Sequence, residues 1–209
     1  MAQGCFITLE GGEGAGKSTQ ARRLADRLTA RGLAVTVTRE PGGSAGAELI
    51  RDLLVTGQTD RWSPITETLL MYAARRDHIE RTIAPALAAG GWVISDRFAD
   101  STRAYQGAGG GVSVSLIQTL ERYVLGATRP DLTLILDLPV DVGLARSMAR
   151  NHAETRFEAK GAAFHKRLRE GFLAIARVEA DRCALIDANQ PIDAVEAAIW
   201  AAVETRLKP

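Results

Sequence analysis

Residues 11–18 read GGEGAGKS and follow directly on the apolar run CFITLE. The segment matches the pattern G-x-x-x-x-G-K-[ST], and a helical stretch, STQARRLADRL, starts inside it. A glycine-rich loop between a strand and a helix lets successive backbone N–H groups converge on phosphate oxygens, and the helix N-terminus adds favourable potential. The motif therefore predicts a loop that binds a nucleoside triphosphate.

Three side chains of this loop carry specific expectations. Lys17 is expected to reach the β- and γ-phosphates of the nucleotide, and the Ser18 hydroxyl to ligate Mg²⁺. The alternative is an ordinary turn with an exposed lysine, which the flanking strand and helix disfavour. Glu13 is electrostatically awkward beside a triphosphate, so we expect its carboxylate to face a second ligand.

The rest of the chain alternates short β-branched runs with longer helical patterns. Apolar residues at three- and four-residue spacing predict helices over 20–30, 66–88 and 114–125. The runs FITL, WVIS and LTLIL are apolar on both faces, as strands covered by helices on both sides must be. The pattern predicts a doubly wound α/β domain with a mostly parallel sheet. The five predicted strands cover residues 5–10, 33–38, 92–95, 132–138 and 183–186.

Composition narrows the class of protein. The length of 209 residues favours a single domain over 1–209. The net charge of +1 does not indicate binding to nucleic acid or to a membrane surface. No apolar run is long enough to span a membrane, and we expect no signal peptide. Cys5 and Cys183 fall in predicted strands, so they are expected to be reduced core residues of a cytoplasmic protein, the alternative being a disulfide or redox role. The glycine cluster at 107–111 is predicted to be a flexible active-site loop or a plain turn.

Arginines stand where an open α/β sheet places its ligands. Arg39 follows the second predicted strand, and Asp96 with Arg97 follows the third. Arg51 and Arg75 lie on the helices after those strands, and a solvated surface position is the alternative for Arg51. These side chains are candidates for holding phosphate.

The segment ISDRFADSTRAYQ (94–106) resembles the signature of the thymidylate kinase family, and the resemblance covers nearly the whole chain. The other matching segments are FITLEGGEGAGKSTQ, TREPGG, LLMYAARRDHI, RPDLTLILDL and RFEAKGAAFHKR. The family transfers the γ-phosphate of MgATP to dTMP, giving dTDP and ADP on the route to dTTP. The resemblance implies a P-loop NTPase fold with a five-stranded parallel sheet. It also implies a cytoplasmic homodimer assembled through the helices over 63–89 and 114–125, although such amphipathic helices serve packing within one chain equally well.

Carried onto the matching positions, the resemblance implies a role for each candidate site residue. The ATP phosphates would be held by Gly11, Gly12, Glu13, Gly14, Ala15, Gly16, Lys17, Ser18 and Thr19. The dTMP molecule would be bound by Glu13, Arg39, Arg51, Met71, Arg75, Arg97, Ser101, Thr102, Tyr105 and Gln106. Glu13 would approach the sugar 3′-hydroxyl, Arg97 would hold the acceptor phosphate and Arg75 would read the thymine edge. Asp96 would lie close to the Mg²⁺ ligated by Ser18.

The polar segment RSMARNHAETR resembles the family's lid, expected at about 146–158. Relatives whose phosphate loop lacks an internal arginine supply a catalytic one from the lid, so Arg150 and Arg156 join Lys17 and Arg97 as catalytic candidates. Arg156 is the better match, and a solvated basic turn is the alternative. No general base is expected, because a phosphate with a second pKa of about 6 is largely dianionic at neutral pH.

Three positions depart from the family pattern. Met71 stands where many relatives place a phenylalanine against thymine, and a helix methionine is otherwise core filler. Gly110 stands where arginine is frequent, and Thr155 where aspartate is common. The histidines form no nucleophilic triad: His78 lies in the LLMYAARRDHI helix, and surface positions are expected for His152 and His165 near the lid.

Two rival functions fit parts of the sequence. A deoxynucleoside kinase would need a carboxylate base for a 5′-hydroxyl, and Glu40 is the candidate. A nucleotide switch would need a base-reading motif such as N-K-x-D, which does not occur in the chain.

Overall fold

The computed structural model describes residues 4–149 and 156–209. Its described strands form one parallel sheet in the order β2-β3-β1-β4-β5. Their bounds are β1 Cys5–Glu10, β2 Val35–Arg39, β3 Trp92–Asp96, β4 Leu132–Asp137 and β5 Cys183–Asp187. The predicted α/β class and all five predicted strands are confirmed, and only the strand ends differ.

Helices cover both faces of the sheet. They are α1 Lys17–Thr29, α2 Ala45–Val55, α3 Pro64–His78, α4 Ala84–Ala88, α5 Ala99–Thr102, α6 Val114–Leu125, α7 Val140–Met148, α8 Ala162–Val178 and α9 Ile192–Leu207. Two π-helical stretches, Ile79–Ile83 and Arg103–Gly109, continue α3 and α5. The helix predicted over 66–88 is therefore three consecutive helical pieces, which the uniform apolar spacing did not distinguish.

The central strand shows why the apolar runs had no polar face. On β1, Ile7 and Leu9 belong to the core that α1 and α9 cover. Phe6, one residue out of phase, belongs to the core beneath α3 and α6. Since successive side chains of a strand point to opposite faces, both sets are buried only when helices lie on both sides.

The carboxyl ends of the strands gather charged residues at one edge of the sheet. Strand β1 lies between β3 and β4, with Leu9 in register with Asp96. Arg39 at the end of β2 pairs with the same Asp96. The loop after β1 therefore opens at the point where the strand order reverses, which is where sheets of this type bind ligands.

The glycine cluster at 107–111 is not the loop or simple turn that the sequence predicted. The stretch Arg103–Gly109 is helical, and only Gly110 and Gly111 turn the chain. A Cβ on Gly109 would lie 2.5 Å from Phe164 Cε2, so this helix packs closely against α8. The glycines serve a close approach of two helices here.

Both described histidines are buried, which for His165 is contrary to the expected surface position, and His152 lies outside the described residues. His78 is 0 % exposed, and its imidazole lies between Thr38 and Glu40. His165 on α8 is also buried. The two cysteines, by contrast, are where they were expected: Cys5 and Cys183 are buried and free. Among the described residues, no helix is both long and apolar enough to cross a bilayer.

Candidate active site

The glycine-rich loop ends at the first residue of α1. Gly16 caps that helix with a φ of 86°, a conformation that favours glycine. A Cβ on Gly14 would lie 2.1 Å from the Gly143 carbonyl oxygen, so glycine is also required there. The buried Lys17 ammonium donates to the carbonyls of Gly12 at 2.7 Å and Gly11 at 3.2 Å. Burial, followed by the nearby Arg97, lowers the pKa of Lys17 to about 8.

A cavity of about 390 Å³ opens above this loop. Most of the predicted site residues line it, although they come from distant parts of the sequence. From the loop these are Glu13, Gly14, Ala15, Gly16, Lys17 and Ser18; from the other elements they are Arg39, Arg51, Met71, Arg75, Asp96, Arg97, Ser101, Thr102, Tyr105 and Gln106. Thr19 is exposed, and Gly11 with Gly12 lines a smaller neighbouring cavity.

Ser18 and Asp96 meet at the mouth of the loop. The Ser18 hydroxyl donates to Asp96 Oδ2 at 2.5 Å. The described residues hold no cluster of three His, Cys, Asp or Glu side chains that would form a complete metal cage. A hydroxyl and one carboxylate beside a phosphate site are nevertheless the donors that Mg²⁺ uses when substrate phosphates and water complete its octahedron. These two residues therefore fit the ion.

Arg97 lies directly after β3 with a φ of 73°, which is uncommon outside glycine. Its guanidinium donates to the Gly11 carbonyl at 2.9 Å, to Ser101 Oγ at 3.2 Å and to Glu13 Oε1 at 3.1 Å. The same Glu13 oxygen accepts from the Tyr105 hydroxyl at 2.6 Å. Burial alone would raise the pKa of Glu13, but Arg97, Lys17 and Tyr105 together lower it to about 2. Glu13 is thus a carboxylate held within the cavity by an arginine and a tyrosine.

Arg75 is buried at the opposite wall of the cavity. Its guanidinium donates to Glu40 Oε2 at 2.7 Å, to Thr102 Oγ1 at 3.1 Å and to the Phe98 carbonyl at 3.0 Å. The other Glu40 oxygen lies 3.0 Å from His78 Nδ1. Both Glu40 oxygens therefore have partners, which does not favour the rival role as a base.

The remaining residues that were expected to bind dTMP differ in burial. Arg39 is exposed and donates to Glu48 at 3.1 Å, and Arg51 donates to the Pro41 carbonyl at 2.6 Å. Met71 is half-buried at the cavity, so it is not pure core. The Gln106 amide is buried and donates to Glu67 Oε1 at 2.8 Å.

Glu10, the last residue of β1, was missed by the sequence analysis. Its fully buried carboxylate accepts from the Phe98 N–H at 2.8 Å and from the Ser101 hydroxyl at 2.5 Å. Burial and the neighbouring Asp100 raise its pKa. Glu10 thereby fixes the start of α5 next to Arg97. A glutamate at the end of an otherwise apolar strand was the available signal.

The lid arginines are placed differently from expectation. Arg156 does not line the cavity: it is 2 % exposed and forms an ion pair with Glu67. Arg150 lies outside the described residues, as does Thr155. Beyond Arg156, the chain contributes Phe157 and Glu158 to the cavity wall, two residues that sequence reasoning missed although both lie in the RFEAKG segment.

Comparison with known proteins gives a consistent result. The profile of a family described as thymidylate kinase matches residues 9–199. The chain is 68% identical over 207 residues to a thymidylate kinase of Caulobacter vibrioides, covering 99% of both chains. It is 53% identical to one from Bradyrhizobium diazoefficiens, covering 99% of this chain and 92% of that protein. The crystal structure of thymidylate kinase from Ehrlichia chaffeensis superposes with a TM-score of 0.77 at 34% identity, covering 96% of this chain and 99% of that one.

Proposed function

The chain belongs to the thymidylate kinase family, and we propose that it transfers the γ-phosphate of ATP to dTMP, giving dTDP and ADP. The main support for this function is that a donor site and an acceptor site line one cavity. The phosphate loop with Lys17 forms one half, and Arg97, Tyr105 and Arg75 form the other. Such a cavity brings a donor and an acceptor together in line, which is the main requirement of phosphoryl transfer.

The donor half is proposed to bind the ATP phosphates through the loop N–H groups and the Lys17 ammonium. Mg²⁺ would be held by Ser18, with Asp96 close by, and would neutralise charge on the phosphates. Lys17 donates to two loop carbonyls, which direct its cation into the loop.

The acceptor half is proposed to hold dTMP. Arg97 is the phosphate contact, and Arg39 and Arg51 line the same cavity. Glu13 is the partner for the sugar 3′-hydroxyl, and its low pKa makes it an acceptor throughout the neutral range. Arg75, Met71 and the signature side chains Ser101, Thr102 and Gln106 would surround the base. No residue needs to remove a proton, because the attacking phosphate is largely dianionic.

The catalytic lid cation is proposed to be Arg150. Of the two candidates, Arg156 has its guanidinium committed to Glu67 and to backbone carbonyls. Arg150→Ala should lower kcat by about a hundredfold or more, since an arginine supplied to this transition state is worth about 10³–10⁵. Lys166→Ala, which removes an exposed cation on the neighbouring α8, is the control and should leave kcat unchanged. A normal kcat in Arg150→Ala would remove the lid from the mechanism.

A homodimer in the cytoplasm is proposed as the state of the enzyme. In support of the dimer, α3 and α6 pack together and expose large apolar side chains, among them Leu69 and Tyr123.

The function is tested by measuring ADP release from MgATP with each deoxynucleoside monophosphate and with thymidine. Turnover should be fastest with dTMP, and thymidine should give none. ADP release with thymidine that exceeds the rate with dTMP would assign the chain to the deoxynucleoside kinases instead, and turnover without any acceptor would favour a nucleotide switch.

A further inference from the structure

The buried carboxylate of Glu67 on α3 contacts both Gln106 and Arg156. Its Oε1 accepts from Gln106 Nε2 at 2.8 Å, and its Oε2 lies 2.5 Å from Arg156 Nη1. Lys160 Nζ is 3.5 Å from the same Oε1. Glu67 is only 2 % exposed, and a carboxylate buried so deeply needs such partners, because a buried charge without compensation is strongly destabilising.

Arg156 also makes hydrogen bonds to the backbone, in addition to its ion pair with Glu67. Its guanidinium also donates to three carbonyls, those of Leu54 at 3.1 Å, Gln58 at 3.0 Å and Thr59 at 3.2 Å. Leu54 lies in the last turn of α2, where carbonyls lack helical partners and need other donors. The side chain thus ties the chain at position 156 to α2, α3 and the loop between them.

The residues that follow this anchor form a wall of the cavity. The Phe157 ring packs edge-on against Tyr105, with centroids 5.6 Å apart. Glu158 accepts a hydrogen bond from Ser147, and all four side chains line the cavity. Tyr105 in turn donates to Glu13, so the wall and the acceptor site are in direct contact.

We propose that Glu67 is a positioning residue for the acceptor, which sets the Gln106 amide directly and the 156–158 wall through Arg156. The inference rests on the proposed function, because it takes the acceptor to be dTMP. Because one N–H of the Gln106 amide is held by Glu67, the orientation of the amide is fixed, and its oxygen is an acceptor for the base. Glu67 itself does not line the cavity and acts through Gln106 and Arg156. Arg156, expected from the sequence to be catalytic, belongs to this positioning pair.

The test is a double-mutant cycle with Glu67→Gln, Arg156→Gln and their combination. Each single variant should raise the KM for dTMP by about tenfold, because it misplaces a group that contacts dTMP, and one lost hydrogen bond is worth up to about one power of ten in an equilibrium constant. The KM for ATP and kcat at saturation should change by less than about threefold, since the dTMP contacts that Glu67 positions are equally present in ground and transition states. The combination should be no worse than Glu67→Gln alone, because that change already removes both the contact with Gln106 and the pair with Arg156.

Glu121→Gln is the matched control. Glu121 is also 2 % exposed and bound to an arginine, Arg103, but neither of these residues lines the cavity. The loss of this pair should lower stability and leave the KM for dTMP unchanged. An equal rise in that KM for the control would show that the effect reports general destabilisation and would overturn the proposal.

A second variant tests the proposal if the single variants do not fold. Glu67→Met combined with Arg156→Met removes both charges together, and such replacements of a buried pair are frequently well tolerated. The folded protein should still show the raised KM for dTMP, because Gln106 no longer has the Glu67 carboxylate to donate to.

A normal KM for dTMP in this variant, or effects that multiply in the cycle, would overturn the positioning role but not the proposed function. A large loss of kcat in Arg156→Gln, with Glu67→Gln normal, would return Arg156 to catalysis. A wild-type chain that does not phosphorylate dTMP would instead overturn the proposed function and this inference with it.

Discussion

At the scale of single residues, the site is shaped by a few buried charges that set one another's protonation. Arg97 faces both Glu13 and Lys17, and it pushes the pKa of both downwards. For Glu13, Arg97 together with Lys17 and Tyr105 outweighs the effect of burial, whereas for Lys17 the effect of Arg97 adds to that of burial. The carboxylate is thus charged at any neutral pH, and the ammonium titrates close to the working range.

The pKa of Lys17 leads to a pH prediction. A group with a pKa of about 8 is a cation below that pH and loses its charge as the pH rises through it. Since the cation binds the triphosphate, kcat/KM for ATP should fall as the pH rises through about 8. On the acid side, kcat/KM for dTMP should fall below about 6, where the acceptor phosphate gains a proton.

Steady-state kinetics across the pH range measure both limbs of this profile. Lys17→Arg is the informative variant, because guanidinium stays charged throughout. Its activity should be lower, since the fork does not fit a site built for an ammonium, but its alkaline limb should disappear. An unchanged alkaline limb in Lys17→Arg would show that another group titrates there.

At the scale of secondary-structure elements, the periodic features were predictable and the buried polar contacts were not. All five strands and the helix over 114–125 follow from apolar runs and spacing, because burial on a given face imposes a period. The contacts of Glu67, Arg156 and His78 join residues far apart in the chain, and single charged residues are indistinguishable in sequence from surface ones. Most of the cavity residues were predicted through a resemblance that covers whole motifs. The pairing of Arg156 with Glu67 was not predictable, because a motif gives a residue's position in the chain but not the direction of its side chain.

The helix that contains the glycine cluster provides a stability prediction. Gly109→Ala would place a methyl group 2.5 Å from the Phe164 ring, which is itself packed against Tyr105. Overpacking of this kind typically costs about 1–3 kcal/mol. Urea denaturation should therefore show a lower midpoint with an unchanged slope.

Gly161→Ala is the control for this change. A Cβ on Gly161, just before α8, would meet nothing within 4 Å, and its φ of −50° suits any residue. The free energy of unfolding should stay within about 0.5 kcal/mol of the original. Equal stability of the two variants would mean that α8 moves aside without cost, and that the glycine is not needed for the packing.

At the scale of the whole molecule, the sheet brings the parts of the site together, and the helices outside it leave one apolar surface. On α3, Ile65 and Leu69 are 55% and 49% exposed and lie one turn apart on the same face. On the adjacent α6, Val114 and Tyr123 are 66% and 78% exposed. Exposed apolar side chains on two helices that pack together, here called the α3–α6 surface, are a feature of protein interfaces.

The dimer prediction follows from this surface, which we expect a second copy of the chain to cover. Leu69→Lys combined with Val114→Lys would place two charges in a buried contact and should convert the dimer to a monomer at the same protein concentration. The measurement is sedimentation velocity, with circular dichroism to confirm that the helices remain folded. Val178→Lys on α8 is the matched control, because Val178 is an equally apolar residue, 82% exposed, outside the α3–α6 surface. It should remain a dimer. If the control dissociates as well, or if the double variant remains dimeric, the interface lies on another face of the molecule.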